Sequence, residues 1–245
     1  MAKFEHAPAN AGKVDGALVE NAFDFLKRKV PSPIQFYMPA IEPHSGGSCS
    51  ALTLELIQKI YDFVFEPGFS DVARKAVEGL LVEIKDVEGV KTFRSRQMAL
   101  NSFEIKGKYN KDTISSDKVA AIASLYNLSV ARSSPKVEVA SLDKRGLESL
   151  LIEMSMGVHL VRLVKPNDGE KLEDYGHTTL FIQNCDHGFY FDVNCGLFAL
   201  KCSPYSAAER SKLTDLIYDN LQANLADFKL TEFQIHQLDC STTIT

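Results

Sequence analysis

Apolar positions recur at helical spacing through the first two-thirds of the chain and then change period. Between Asp15 and Arg28, the residues Ala17, Leu18, Ala22, Phe25 and Leu26 mark one face, which predicts a short amphipathic helix. A breaker-rich stretch follows, in which Pro31, Pro33, Pro39 and Pro43 lead into Ser45-Gly46-Gly47-Ser48. Each proline removes an N–H and restrains its predecessor, so no regular helix fits there. Leu52, Leu56, Ile57, Ile60, Phe63 and Val64 then predict a helix over 49–65, stopped by Pro67-Gly68. Further helices are expected over 70–84, 116–126 and 142–154, whereas 88–112 is polar and carries no period that assigns it an element.

Beyond Gly157 the pattern becomes β-rich. Val158 to Val164 reads as a strand closed by Pro166-Asn167-Asp168-Gly169. His177–Gln183 and Phe189–Val193 read as strands around the turn residues Asn184 to Gly188, and Leu197–Cys202 as another. Helical spacing returns over 207–223, and alternation over 228–238 predicts a closing strand. Helices first, then an antiparallel sheet with one late helix, is the α+β class.

A chain of 245 residues has room for one domain with an appendage, here a partly flexible leader over 1–30 and a single domain over 31–245. The net charge of −5 argues against a nucleic-acid partner held by phosphate neutralisation. No run approaches the roughly 18 apolar residues of a membrane span. The N-terminus shows no signal-peptide core. Five cysteines, an odd number without dense spacing, fit reduced thiols rather than a disulfide framework.

Cys49 stands where the glycine-rich loop meets the predicted helix. A thiol there feels the positive end of the helix dipole and the first-turn N–H groups, which favour the thiolate and can hold an oxyanion beside it. The alternative is a small core cysteine that happens to begin a helix. A second element supplies what a nucleophile needs. His177 and Asp192 lie 15 residues apart, with their midpoint between Asn184 and Cys185, so a hairpin folded there sets them side by side. A Cys-His-Asp triad uses that arrangement: the imidazole takes the thiol proton and the carboxylate orients the ring. Asn194, on the same strand face as Asp192, is the competing orienter.

Gly46-Gly47-Ser48-Cys49-Ser50-Ala51-Leu52, then Gly176-His177, then Tyr190-Phe191-Asp192-Val193-Asn194-Cys195-Gly196 resemble the YopT/AvrPphB-type cysteine proteases. The resemblance rests on these three short blocks, in the family's order. It implies a papain-like fold, with the nucleophile on a central helix packed against a C-terminal antiparallel sheet. Cys49 then corresponds to the nucleophile, His177 to the base and Asp192 to the orienting carboxylate. His44 is the candidate side chain for the oxyanion hole. The chain departs from the family in having no Trp and in carrying Thr178, where the family has Ala after its His. The family also implies a protein substrate in a host cell, and passage from a bacterial cytoplasm into that cell. Two other readings stay open: a papain-like glutamine deamidase or acyltransferase, and an interaction scaffold with a degenerate triad.

The remaining polar residues carry less. Cys185, His187, Cys195 and Cys202 lack the paired spacing of structural zinc sites, so neither metal nor cofactor is expected. His159, inside an apolar strand, reads as a core or half-exposed histidine, and His6 and His236 as lone residues near the ends. Lys27-Arg28-Lys29 reads as a solvated helix end.

Overall fold

A computed structural model describes residues 34–36, 49–83, 87–106, 116–154, 156–164, 176–185, 187–193, 196–201, 207–228 and 230–240. The helix expected over 15–28, His44, Asn194, Cys195 and Cys202 lie outside these segments. A three-residue strand, β1 (Ile34–Phe36), falls within the proline-rich stretch. Four helices follow: α1 (Cys49–Ile60), α2 (Phe69–Glu83), α3 (Val87–Lys106) and α4 (Ser116–Ser124). Strands β2 (Leu128–Ser133) and β3 (Val137–Glu138) lead to α5 (Lys144–Met154). The last part holds β4 (Gly157–Val164), β5 (Gly176–Gln183), β6 (His187–Asp192), β7 (Gly196–Lys201), α6 (Ala207–Phe228) and β8 (Glu232–Cys240).

All strands join one antiparallel sheet in the order β1-β7-β6-β5-β4-β8-β2, with β3 also paired to β8. Each sheet face has its own apolar layer. Leu160, Leu180, Ile182, Phe189 and Phe191 meet α1 to α4 on one side. Val161, Leu163, Phe181, Tyr190, Phe198 and Ile235 meet α5 and α6 on the other. Fully burying one such Leu or Phe side chain contributes about 1.5–3 kcal/mol. α1 lies deepest: Leu52, Leu54, Leu56, Ile57 and Ile60 are all fully buried, because β5, β6, α2 and α3 surround it. No described helix is long and apolar enough to cross a membrane.

Three departures from the sequence pattern have physical causes. The region that carried no period is the 20-residue α3, whose buried seam is Phe93, Gln97 and Leu100. A glutamine in the middle of that seam hides the apolar stripe that would announce a helix. The sequence pattern does not announce β2 either: it lies at the sheet edge, is mostly half-buried with Ala131 and Arg132 exposed, and breaks register between Val130 and Arg132, so it lacks clean alternation. α1 is shorter than the apolar pattern predicts, ending at Ile60 and passing through a 3-10 turn over Tyr61–Phe63.

Both strand histidines of the β4–β8 pair are buried. His159 stacks on Phe181 at 4.5 Å and donates from Nε2 to the Met154 carbonyl at 3.1 Å. His236 bonds Ser133 Oγ through Nδ1 at 2.8 Å. Burial lowers each pKa from 6.5 to about 4, helped at His236 by the Arg162 charge. Between these values the unfolded chain binds protons that the folded one refuses, so stability falls as pH drops through that window. The loss is expected to reach roughly 3 kcal/mol per imidazole. Urea unfolding at pH 7 and pH 4.5 should therefore show a smaller acid penalty in His159→Phe than in the parent. Equal penalties would refute it.

Candidate active site

Cys49 is the first residue of α1 and is 7% exposed. Its helix begins directly after Ser45-Gly46-Gly47-Ser48 in the sequence, and its first turn is pinned from two directions. The Ala51 N–H donates to Gln97 Oε1 on α3 at 3.0 Å, satisfying one donor that a helix start leaves without an intrahelical partner. Thr53 Oγ1 donates to the Thr178 carbonyl on β5 at 3.4 Å. The nucleophile candidate therefore sits at the junction of α1, α3 and β5.

His177 and Asp192 come from β5 and β6, and His177 Nε2 lies 2.9 Å from Asp192 Oδ1. The hairpin register differs from the one its sequence suggested. Gln183 pairs with Gly188 and Leu180 with Phe191, so the fold centre is one residue later than expected. One further step of that ladder would set Asp192 opposite Thr179, leaving it diagonal to His177. Diagonal neighbours on one face remain within reach of long side chains, and here the imidazole closes the gap.

By strand parity His177 and Asp192 belong with Phe181 and Tyr190 on the face covered by α6. Thr178 belongs to the opposite face, where its hydroxyl meets Ser50 Oγ at 2.8 Å. The cluster thus closes over the end of the sheet, with the thiol from one layer and the imidazole and carboxylate from the other. α6 adds Asn220, whose Nδ2 donates to Asp192 Oδ2 at 3.1 Å while its Oδ1 accepts from the Tyr190 hydroxyl. Asp192, Asn220 and Tyr190 are at most 1% exposed, so both carboxylate oxygens have a partner in a site closed to water.

The charges reinforce one another. Burial pushes the Cys49 thiol up, but the His177 hydrogen bond and charge, the Arg162 charge and the Thr178 N–H outweigh it, lowering the pKa from 9.0 to about 7. Burial pulls His177 down, and the Asp192 charge and hydrogen bond, followed by the Cys49 contact, raise it from 6.5 to about 10. The two titrate as a pair, which between these values is a thiolate facing an imidazolium. A lowered thiol pKa keeps the reactive form present as pH falls toward 7. Iodoacetamide alkylation of Cys49 should accordingly be half-maximal near pH 7, about two units below the value of a thiol without these partners. A midpoint near 9, followed by mass spectrometry at each pH, would remove the ion pair.

His44 and Asn194 lie outside the described residues, as do Cys195 and Cys202, while Cys185 is exposed in the β5–β6 turn. Gln97, Asn220 and Arg162 belong to the site's support and were not picked out from the sequence. The Phe93, Gln97, Leu100 spacing was the one signal available for Gln97.

These elements define an α+β fold of the papain-like class. The chain is similar in fold to the crystal structure of the Pseudomonas avirulence protein AvrPphB, with a TM-score of 0.52 at 14% identity over 79% of this chain and 92% of that one. No protein-family model and no curated protein sequence matches the chain.

Proposed function

We propose that this protein is a cysteine protease that cleaves a protein substrate through Cys49, His177 and Asp192. The observation that carries the reading is the Cys49–His177–Asp192 cluster, with a thiol pKa near 7 and an imidazole tied to a buried carboxylate. In this reading the Cys49 thiolate attacks the peptide carbonyl, and the carbonyl π electrons move to oxygen. The Cys49 and Ser50 N–H groups at the helix start are assigned to that oxyanion. His177 gives its proton to the departing amine as the C–N bond breaks, leaving a thioester on Cys49. Water, deprotonated by His177, then attacks the thioester and frees the acid. Asp192 holds the ring with one nitrogen toward itself, and so the other toward the sulfur. Resemblance of the three sequence blocks to the YopT/AvrPphB-type proteases supports peptide hydrolysis over other thiol chemistry. Similarity to an avirulence protein supports a host protein as substrate and delivery into a host cell.

The test is to incubate the protein and Cys49→Ala with host lysate and map new protein N-termini. Fragments formed by the parent alone support proteolysis. Intact substrates gaining about one dalton at a glutamine would replace it with deamidation. Identical lysates from both proteins would end the reading.

A further inference from the structure

Arg162 is the sixth of the eight residues of β4, an interior strand of the sheet whose other residues are mostly apolar and buried. It pairs in register with Thr178 on β5 and Gln234 on β8. A half-buried cation on an interior strand carries a desolvation cost that an apolar residue would avoid. Its contacts lead to the candidate active site. Arg162 Nη1 donates to Ser50 Oγ at 3.0 Å and to Thr178 Oγ1 at 3.2 Å, and those two hydroxyls lie 2.8 Å apart. Ser50 follows Cys49 in the chain, and Thr178 follows His177. One guanidinium nitrogen therefore ties together the residues adjoining the candidate nucleophile and the candidate base.

We propose that Arg162 is a positioning residue for Cys49: it locks the start of α1 onto β5 and supplies a fixed positive charge near the thiolate. The inference rests on the Cys49–His177 reading of the site, and it adds a role that the three sequence blocks do not contain. An arginine suits the task because it stays protonated across the working range and can hold two acceptors in a fixed geometry. Among the described residues, the other charged or titratable groups bearing on Cys49 are His177 from β5 and, behind it, Asp192 from β6. α3 contributes neutral Gln97 to the same turn, while its Arg96 is paired with Glu55 farther along α1. Toward α2, Lys59 of α1 pairs with Glu83. On β8, His236 faces the same layer, and burial with the Arg162 charge lowers its pKa to about 4, which keeps it neutral around pH 7. A change in the Cys49 profile around neutral pH would thus report on Arg162.

The experiment compares the full-length protein with Arg162→Gln and Arg162→Lys, measuring Cys49 alkylation by iodoacetamide against pH alongside the melting temperature. Arg162→Gln is expected to move the midpoint up by about one unit, which makes alkylation about tenfold slower below the midpoint. Arg162→Lys, which keeps the charge, is expected to restore most of that shift. A merely structural arginine would lower the melting temperature of Arg162→Gln and leave its midpoint at the parent value, and that result overturns the proposal. Should Arg162→Gln give no cooperative melt, Thr178→Val retains the charge and removes one anchor. A slower Cys49 reaction at an unchanged midpoint then supports the tether, and a parental rate overturns it. These readouts need no substrate, so a lysate without cleavage products ends the protease reading while the alkylation profiles still decide the role of Arg162.

Discussion

Cys49→Ala and His177→Ala are each expected to bring peptide cleavage to background, a loss on the order of 10⁶-fold in kcat by analogy with other nucleophile–base pairs. The double variant should lose no more than either single one. The His177 hydrogen bond and charge lower the Cys49 pKa, and in the proposed mechanism the same imidazolium protonates the leaving amine, so removing either partner is expected to remove the function of both. Initial rates on one cleaved peptide, measured for the two single variants and the double, check this. Additive losses would mean that the residues act in separate steps. The same peptide should give a bell-shaped profile with limbs near pH 7 and pH 10. The acid limb follows protonation of Cys49, and the alkaline limb follows loss of the His177 proton, whose folded-state pKa is raised.

Asp192→Ala is expected to cost less, about 10²–10⁴-fold in kcat/KM, because the carboxylate orients and stabilises a ring that still carries the proton. Its direct bond to His177 Nε2 supports Asp192 as the orienting residue of the proposed triad. Asn194→Ala should therefore stay near the parent, and the reverse order of the two variants would overturn that assignment. Asn220→Leu offers a graded comparison. It removes the donor to Asp192 Oδ2 and the acceptor of the Tyr190 hydroxyl, two buried hydrogen bonds, at a stability cost of about 1–3 kcal/mol. The carboxylate then keeps His177 but loses its Asn220 hydrogen bond, so kcat/KM is expected to fall by about tenfold, less than in Asp192→Ala. Urea unfolding of the same variant separates the stability loss from the kinetic one.

The legible parts of this protein are those written in short-range pattern. Helical spacing announces α1, α2, α4, α5 and α6 because each presents an apolar stripe to one side of the sheet. β-rich runs bounded by turn residues announce β4 to β7, and alternation announces β8. The loop-to-helix junction marks Cys49, and hairpin parity sets His177 and Asp192 on one face even though their register is diagonal rather than direct. A strand parity error would have sent them to opposite layers, whereas a register offset of two keeps them together.

Local pattern is enough for the α+β class, most of the elements and the residue types available for thiol chemistry, since each follows from neighbours a few positions apart. Only the tertiary structure decided what surrounds that chemistry. Gln97 reaches Ala51 across 46 residues, Arg162 reaches Ser50 across 112, and Asn220 reaches Asp192 across 28. No local period encodes such pairings, because a buried polar side chain takes its meaning from the partner that folding brings to it. The sheet is likewise flanked by helices on both faces, with α1 to α4 on one and α5 and α6 on the other, an arrangement the order of elements alone left open. Packing decided it: the two faces of β4 to β8 are both apolar, and each required its own cover of helices.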